Sequence, residues 1–198
     1  MAMDDLDRTI REFTQQADNF ANSHAMTDRQ SLMQLCRGSR SGGRGRVLDV
    51  ACGPGIVTCE LAAIAREVVA FDITPVMLVK ARERCDKAGR MNVTFREGSA
   101  ADLPFADSSF DAVVTRSSFH HFRSPARVLD EMARVTSRGG AVVVADTVSS
   151  ETSEKSELHN AIEVLRDPSH VRMMPPSELS ALFASVGLDI EASIPVWA

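Results

Sequence analysis

The segment Val47-Leu-Asp-Val-Ala-Cys-Gly-Pro-Gly55, with a second short apolar run closing on Asp72, constrains this chain more than any other feature. A few apolar residues open into a glycine turn, and the turn opens into a helix. Glycines there let the backbone approach a ligand closely, and the N–H groups at a helix start favour negative charge. The second acid, at the end of the next strand, suits a carboxylate that holds ribose hydroxyls. The layout reads as a site for a nucleotide-like cofactor with a ribose.

The flanking pattern fixes the fold class. Val47–Val50, Val68–Asp72, Val93–Glu97, Phe110–Thr115 and Ala141–Asp146 read as strands. The last is nearly all apolar, which predicts burial on both faces. Between them the spacing predicts helices over Ile56–Arg66, over Pro75 to Gly89 with Thr74 as cap, and from Ser124-Pro125 to about Thr136, broken by Gly139-Gly140. Such alternation implies an α/β fold with a doubly wound, mostly parallel sheet and right-handed crossovers. The ligand then sits beyond the carboxyl ends of the strands, where the loops Ala51–Gly55, Asp72–Pro75, Gly98–Ala101 and Arg116–Phe122 converge.

The flanks differ in character. Leu6, Ile10, Phe13, Ala17, Phe20 and His24 mark one face of an N-terminal helix. Thr27 and Gln30 resemble a capping box before a second helix carrying Leu32, Leu35 and Cys36. Arg37–Arg46 reads as a flexible basic loop. After strand five, Glu154–Arg166 and the segment from Pro175-Pro176-Ser177 to Gly187 read as helices, and Leu188–Trp197 as a last strand. One domain results: a helical cap over 1–36, a loop over 37–46, a cofactor-binding core over 47–147 and a substrate-side segment over 148–198.

Bulk properties exclude several classes. The chain has 198 residues, enough for one domain with its own core. A net charge of −5 argues against a dedicated nucleic-acid binder. No apolar run approaches the ~20 residues that cross a bilayer, and the acidic N-terminus shows no signal peptide. Cys36, Cys52, Cys59 and Cys85 form no CxxC pair and no metal spacing, which fits reduced thiols and a cytoplasmic location.

The cofactor can be narrowed further. A dinucleotide fingerprint asks for Gly-x-Gly-x-x-Gly; Gly53 and Gly55 fit, and Thr58 stands in the third place. Asp49 also argues against a nicotinamide oxidoreductase, because a carboxylate beside a diphosphate is repulsive. A ligand with a cationic end removes the conflict. S-adenosyl-L-methionine carries an ammonium and a sulfonium and no phosphate.

At these residues the chain resembles the class I S-adenosylmethionine-dependent methyltransferases with their Rossmann-like fold, in the ubiquinone/menaquinone-type, small-molecule branch (methyltransferase type 11). The resemblance rests on Val47–Gly55, Val69-Ala-Phe-Asp-Ile-Thr-Pro-Val-Met77, Gly98-Ser-Ala-Ala-Asp-Leu-Pro-Phe105, Ser109-Phe-Asp-Ala-Val-Val114 and Val128-Leu-Asp-Glu-Met-Ala-Arg134 before Gly139-Gly140. These five motifs, in order, cover about half the chain. The resemblance implies that Asp49 and the backbone of Ala51, Gly53 and Gly55 hold the methionine end, and that Asp72 takes the ribose hydroxyls. It implies that Ile73 and Met77 pack on the adenosine, that Gly98, Ser99 and Ala100 meet the adenine, and that the backbone near Arg116 closes the site below the sulfur. Phe13, Ala17 and Phe20 match the family's N-terminal lid helix. Ser99 stands where most relatives carry an acid, which predicts a weaker adenine contact; Ala51 replaces the commonest first glycine. The family sheet ends with a sixth strand and an antiparallel seventh, and Leu188–Trp197 supplies only one of them. A shorter sheet, a partner chain such as a second copy in a homodimer, or a truncated chain each accounts for that.

Methyl transfer needs alignment more than proton chemistry, and a base only where the acceptor must lose a proton early. His120 and His121, directly after strand four, are the candidate bases, the alternative being a histidine that hydrogen-bonds a loop. His159, Glu163 and Arg166 share a helical face and, with His170 and Arg172, are candidates to line the acceptor pocket; the alternative is a solvated face with an ion pair. His159 and Glu163 have metal-ligand spacing without a third ligand, so no metal is expected. Asp102, Asp107 and Asp111 lie in or just beyond a polar turn before strand four; solvation accounts for Asp107, and Asp111 shapes the entry to the strand rather than reacting. The readings that remain are an S-adenosylmethionine-dependent methyltransferase for a small organic acceptor at O, N or C, and a cofactor-binding protein without transferase activity or acting as a partner-dependent subunit.

Overall fold

A computed structural model describes residues 2–22, 29–39 and 45–195; His24, Thr27, Trp197, most of the basic loop and the side chains of Leu6 and Gln30 lie outside the described residues. Five parallel strands form one sheet in the order β3-β2-β1-β4-β5, with β1 Arg46–Val50, β2 Glu67–Asp72, β3 Val93–Glu97, β4 Phe110–Arg116 and β5 Thr136–Ala145. The chain builds outward from β1 to one edge, then returns to β4 and builds to the other. The reversal between β1 and β4 opens a crevice at the carboxyl ends of those strands.

Side-chain alternation along the strands builds two separate cores. Val47, Val68, Ala112 and Val114 face α2 (Arg29–Gly38) and α3 (Ile56–Leu61), where Leu32, Leu35, Ile56, Val57 and Leu61 cover them. Leu48, Val50, Val69, Phe71 and Val113 face the opposite way, onto Val128, Leu129, Met132 and Val135 of α5 (Pro125–Val135). Those four positions follow a single helical stripe. Leu179, Leu182 and Phe183 of α7 (Pro176–Ser185) extend that layer. α4 (Pro75–Lys87) covers β2 and β3, with Ala81 against Cys52 and Ala70. α6 (Ser153–Arg166) buries none of its residues.

Five expectations are corrected. α3 stops at Leu61 rather than Arg66: the Asn92 side-chain amide donates to the carbonyls of Ala62 (3.1 Å) and Ala65 (3.0 Å), satisfying the helix end there. The break after α5 comes at Val135, before the glycines. Gly139 and Gly140 instead sit in a bulge, where β5 sets Ser137 to Gly140 opposite the single residue Asp111. Ala141 to Asp146 are half-exposed rather than buried, because β5 is an edge strand with one neighbour, β4. Residues 188–195 form no strand, so β5 ends that side of the sheet among the described residues. The loop expected over 37–46 is also narrower at both ends, since Arg37 and Gly38 close α2 and Arg46 opens β1. Asp111 does shape the start of the sheet: its carboxylate accepts the Arg46 N–H at 2.7 Å.

α1 (Ala2–Asn22) lies across the carboxyl end of the sheet. The Lys80 ammonium donates to Asp18 at 2.5 Å. The Arg84 guanidinium donates to the Ala21 carbonyl at 2.7 Å and the Pro54 carbonyl at 3.0 Å. Ala17 is buried, and the rings of Phe13 and Phe20 lie 5.8 Å apart on the inner face.

Candidate functional site

A cavity of about 280 Å³ lies between α1 and the carboxyl ends of β1, β2 and β4. Its floor is the two loops flagged by the sequence. The first, after β1, bends through two left-handed residues, Ala51 (φ 54) and Gly53 (φ 52). Gly55 (φ 76) then starts α3 so close to α4 that a Cβ there would lie 2.7 Å from the Ala81 backbone. A second close approach is at Gly98, where a Cβ would stand 2.5 Å from the Phe71 ring. These two glycines set the spacing of the walls.

Two carboxylates face this cavity. Asp49, 1% exposed, accepts a 2.6 Å hydrogen bond from the Thr58 hydroxyl on α3. Burial pushes its pKa up to about 7, against the pull of that hydrogen bond, and the nearby Asp72 charge adds to the rise. Asp72, 7% exposed, accepts the Gly53 N–H and the Thr74 N–H, each at 2.8 Å. Burial raises its pKa too, offset by those two bonds. Asp72 therefore braces the first loop against the second and keeps lone pairs for a ligand. Among the described residues neither carboxylate has a basic ion-pair partner.

The remaining expected cofactor residues divide cleanly. Ala51, Gly53, Ile73, Met77, Gly98, Ser99, Ala100 and Arg116 line the same cavity; Gly55 does not, and acts through packing. The Ser99 hydroxyl accepts the Ala101 N–H at 3.3 Å, so it serves its own turn. Arg116 donates to the Ser31 hydroxyl at 2.9 Å, fastening α2 to the end of β4. The backbone after it is left-handed at Ser117 (φ 52). Thr9, Phe13 and Phe20 of α1 close the cavity from above.

The two histidines part company. They sit in a single 3-10 turn, Phe119–His121, and only His121 lines the cavity. His120 is held to Asp146 at 2.5 Å through Nδ1 and donates its backbone N–H to the same carboxylate at 3.1 Å. His121 donates from Nδ1 to the Ser169 carbonyl at 3.1 Å and packs 4.9 Å from the Phe13 ring. Burial, with His120 beside it, lowers its pKa to about 4.

His159, Glu163 and Arg166 are not brought to the cavity. His159 is exposed, Glu163 pairs with Arg166 on the surface of α6, and the spacing reflects a shared helix face turned outward. Among the described residues no group of three or more His, Cys, Asp or Glu is arranged to hold a metal ion.

Sequence reasoning missed three supports. Thr58, counted only as a missing glycine, is the hydrogen-bond donor to Asp49. Glu131 and Arg134 anchor the loop after Gly98: Glu131 accepts the Leu103 N–H at 2.8 Å, and Arg134 pairs with Glu131 and donates to the Leu103 and Phe105 carbonyls. Asp167 and Ser169 stand behind His121. Thr58 left a signal as a polar residue just inside the helix that follows the glycine turn, and Glu131 and Arg134 left one as members of the motif Val128–Arg134, without a role attached.

The donor set fits S-adenosylmethionine better than a dinucleotide. A diphosphate over the first loop would meet Asp49 and Asp72, whereas an ammonium would relieve a carboxylate that burial holds near half-protonation at neutral pH. Comparison with known proteins points to a methyltransferase. A family model described as a methyltransferase domain matches residues 48–144. The uncharacterized methyltransferase YcgJ of Bacillus subtilis is 30% identical over 173 residues, 87% of this chain and 68% of that protein. A demethylmenaquinone methyltransferase of Clavibacter sepedonicus is 41% identical over 101 residues, 51% of this chain, and the chain spans 40% of its length. The crystal structure of YcgJ superposes with a TM-score of 0.76 at 32% identity, covering 79% of this chain and 67% of that one. A SAM-dependent methyltransferase structure from Aquifex aeolicus, 20% identical with a TM-score of 0.69, shares the fold over 87% of both chains. By the extent of the YcgJ match and the family model over residues 48–144, the chain belongs to the methyltransferase-domain family, with the class I methyltransferase fold.

Proposed function

We propose that the protein binds S-adenosylmethionine in the cavity under α1 and transfers its methyl group to a small organic acceptor. The observation that carries this is the pair of buried carboxylates, Asp49 and Asp72, facing one cavity with no basic partner among the described residues. Asp49 receives the ammonium, with the backbone of Ala51 to Gly53 alongside. Asp72 accepts the ribose hydroxyls. Ile73 and Met77 pack on the adenosine, Ser99 and Ala100 meet the adenine edge, and the backbone at Arg116 and Ser117 closes the floor. Held there by Asp49, Asp72 and the two loops, the sulfonium would supply an activated methyl carbon, its sulfur keeping the electron pair of the carbon–sulfur bond as the methyl passes to the acceptor. The chain's own part is to hold the acceptor in line and exclude water, and α1 supplies that cover.

Calorimetry with S-adenosylmethionine, S-adenosylhomocysteine and NAD tests the cofactor. Micromolar binding of the first two and none of the third is expected; the reverse order overturns the reading. Turnover against phenols, quinols and amines tests the acceptor at O, N or C. The second reading, a cofactor-binding protein that acts with a partner, draws on the open outer edge of β5. A second copy pairing there, detectable as a dimer by light scattering, is the form that reading takes. We place the protein in the cytoplasm on the strength of its free thiols. No helix among the described residues is long and apolar enough to cross a membrane.

A further inference from the structure

We infer that Asp167 and Ser169 are positioning residues that hold His121 with Nε2 bare, and that this nitrogen receives the hydrogen of a flat, apolar methyl acceptor bearing a hydroxyl or N–H. The inference rests on the proposed methyl transfer and deepens it by naming the acceptor class.

The tautomer follows from hydrogen-bond chemistry. The Ser169 carbonyl, 3.1 Å from His121 Nδ1, has no hydrogen to give, so the proton of that bond is on Nδ1. The Ser169 hydroxyl lies at 3.1 Å from the same nitrogen, and its own hydrogen is committed to Asp167 Oδ1 at 2.6 Å. Both Ser169 oxygens therefore accept from Nδ1. Asp167 also takes the Ser169 N–H at 2.9 Å, which fixes the turn. Asp167 is itself buried at the end of α6 and accepts from Gln16 of α1 at 3.4 Å. The carboxylate, the hydroxyl and the ring thus form one chain reaching from α6 to the cavity.

With the proton fixed on Nδ1 and the ring neutral near pH 7, Nε2 carries a lone pair. The titratable groups around the ring are His120, Asp146 and Asp167; His120 is already engaged by Asp146. The walls beside His121 are aromatic. Phe13 contacts its ring edge-on, Phe20 contacts Phe13, and Phe122 follows it in the turn; all three line the cavity. Such walls suit a flat apolar body, and the single lone pair suits one hydrogen on the reacting atom. As that atom commits its lone pair to carbon, its proton passes to Nε2 and leaves from the imidazolium to water.

The test is nitrogen NMR of the histidine side chains in the full chain, with His121 assigned by its loss in His121→Phe. Ligand-free protein should show a protonated Nδ1 and a bare Nε2 at His121; a protonated Nε2 overturns the inference. With S-adenosylhomocysteine bound, phenol should move the Nε2 resonance and anisole should not; equal shifts overturn the acceptor class. Ser169→Ala keeps the carbonyl and removes one of the two acceptors, so the Nδ1-protonated form should lose population to the Nε2-protonated one, and Ser169→Thr, which keeps the hydroxyl, should restore it; an unchanged tautomer ratio in Ser169→Ala overturns the role of the hydroxyl. Calorimetry of S-adenosylhomocysteine runs alongside. If it fails to bind, the proposed cofactor falls, while the ligand-free tautomer still decides the positioning of His121.

Discussion

Cofactor affinity should depend on the ionisation of Asp49. In the free protein burial raises this carboxyl to about 7. An ammonium bound beside it restores the ordinary carboxylate range, so the site must lose a proton to bind. Taking a free-state value of about 7, the ionised fraction falls from about 90% near pH 8 to about 1% near pH 5, a loss of nearly a hundredfold in affinity, or about 2.7 kcal/mol. Titration calorimetry with S-adenosylhomocysteine across that range, in buffers of different ionisation enthalpy, measures both the slope and the proton released. About one proton should leave per ligand near pH 6. Asp49→Asn removes the titrating group and should bind more weakly but with a flat profile, which separates Asp49 from its neighbour Asp72. His121, at about 4, lies below the window. A flat wild-type profile, or an undiminished slope in Asp49→Asn, would refute the reasoning.

The same shift has a folding consequence of definite sign. Between the unfolded value of about 4 and the native value of about 7 the native state keeps a proton that the unfolded chain releases, so Asp49 costs about 1.4 kcal/mol of stability per pH unit as pH rises. Urea melts of Asp49→Asn should therefore gain on wild type from about pH 4 to about pH 7 and level off above it. Asp72→Ala removes both the proposed ribose contact and the brace between two loops, and should weaken S-adenosylhomocysteine binding by more than about tenfold. Gly55→Ala meets a left-handed φ of 76 and the Ala81 backbone at 2.7 Å together, and should lower stability by about 3 kcal/mol on thermal or urea melts. Arg134→Met removes the principal partner of Glu131, which keeps the Leu103 N–H and Arg127 at 3.9 Å, and should cost about 1.5–2 kcal/mol by the same melts.

The sheet was legible because its signal is local. Val47, Leu48 and Val50 declare a strand by themselves, and the glycine turn after them declares what kind of loop follows. Asp49 and Asp72 were legible for a similar reason, since each sits at a strand end whose position the alternation sets. The supports behind the site were not, because they act across long separations: Ser169 reaches His121 over 48 residues and Glu131 reaches Leu103 over 28. The spacing of His159, Glu163 and Arg166 announces a common helix face. Which way that face turns depends on how α6 packs, and α6 buries none of its residues. The length of α3 was misjudged because Asn92, a residue of the β3 approach, supplies the cap that ends it. Gly139 and Gly140 carried a true signal for irregular backbone, but the irregularity is a bulge in β5 rather than a helix stop.

Most of the unfavourable features of this chain gather at one end of the sheet. Left-handed Ala51 and Ser117, the Asp49 carboxyl buried without a basic partner among the described residues, and Asp72 beside it sit at the carboxyl ends of β1, β2 and β4, whereas the third left-handed non-glycine residue, Ser108, precedes β4. Away from that end, both faces of the sheet are packed with apolar side chains. Each left-handed non-glycine residue costs about 1–3 kcal/mol, and persists only where the surroundings dictate it. Here the surroundings do: the Ser118 hydroxyl donates to the Arg116 carbonyl at 2.9 Å, and Ser117 donates its N–H to the Ala145 carbonyl at 2.8 Å. Those bonds tie the turn to β4 and β5, so its backbone is set before a ligand arrives. The scaffold thus carries the ordering cost of this turn during folding. A ligand that supplies the missing cation should then raise the melting temperature of the whole sheet, because the loops it touches are continuous with the three central strands.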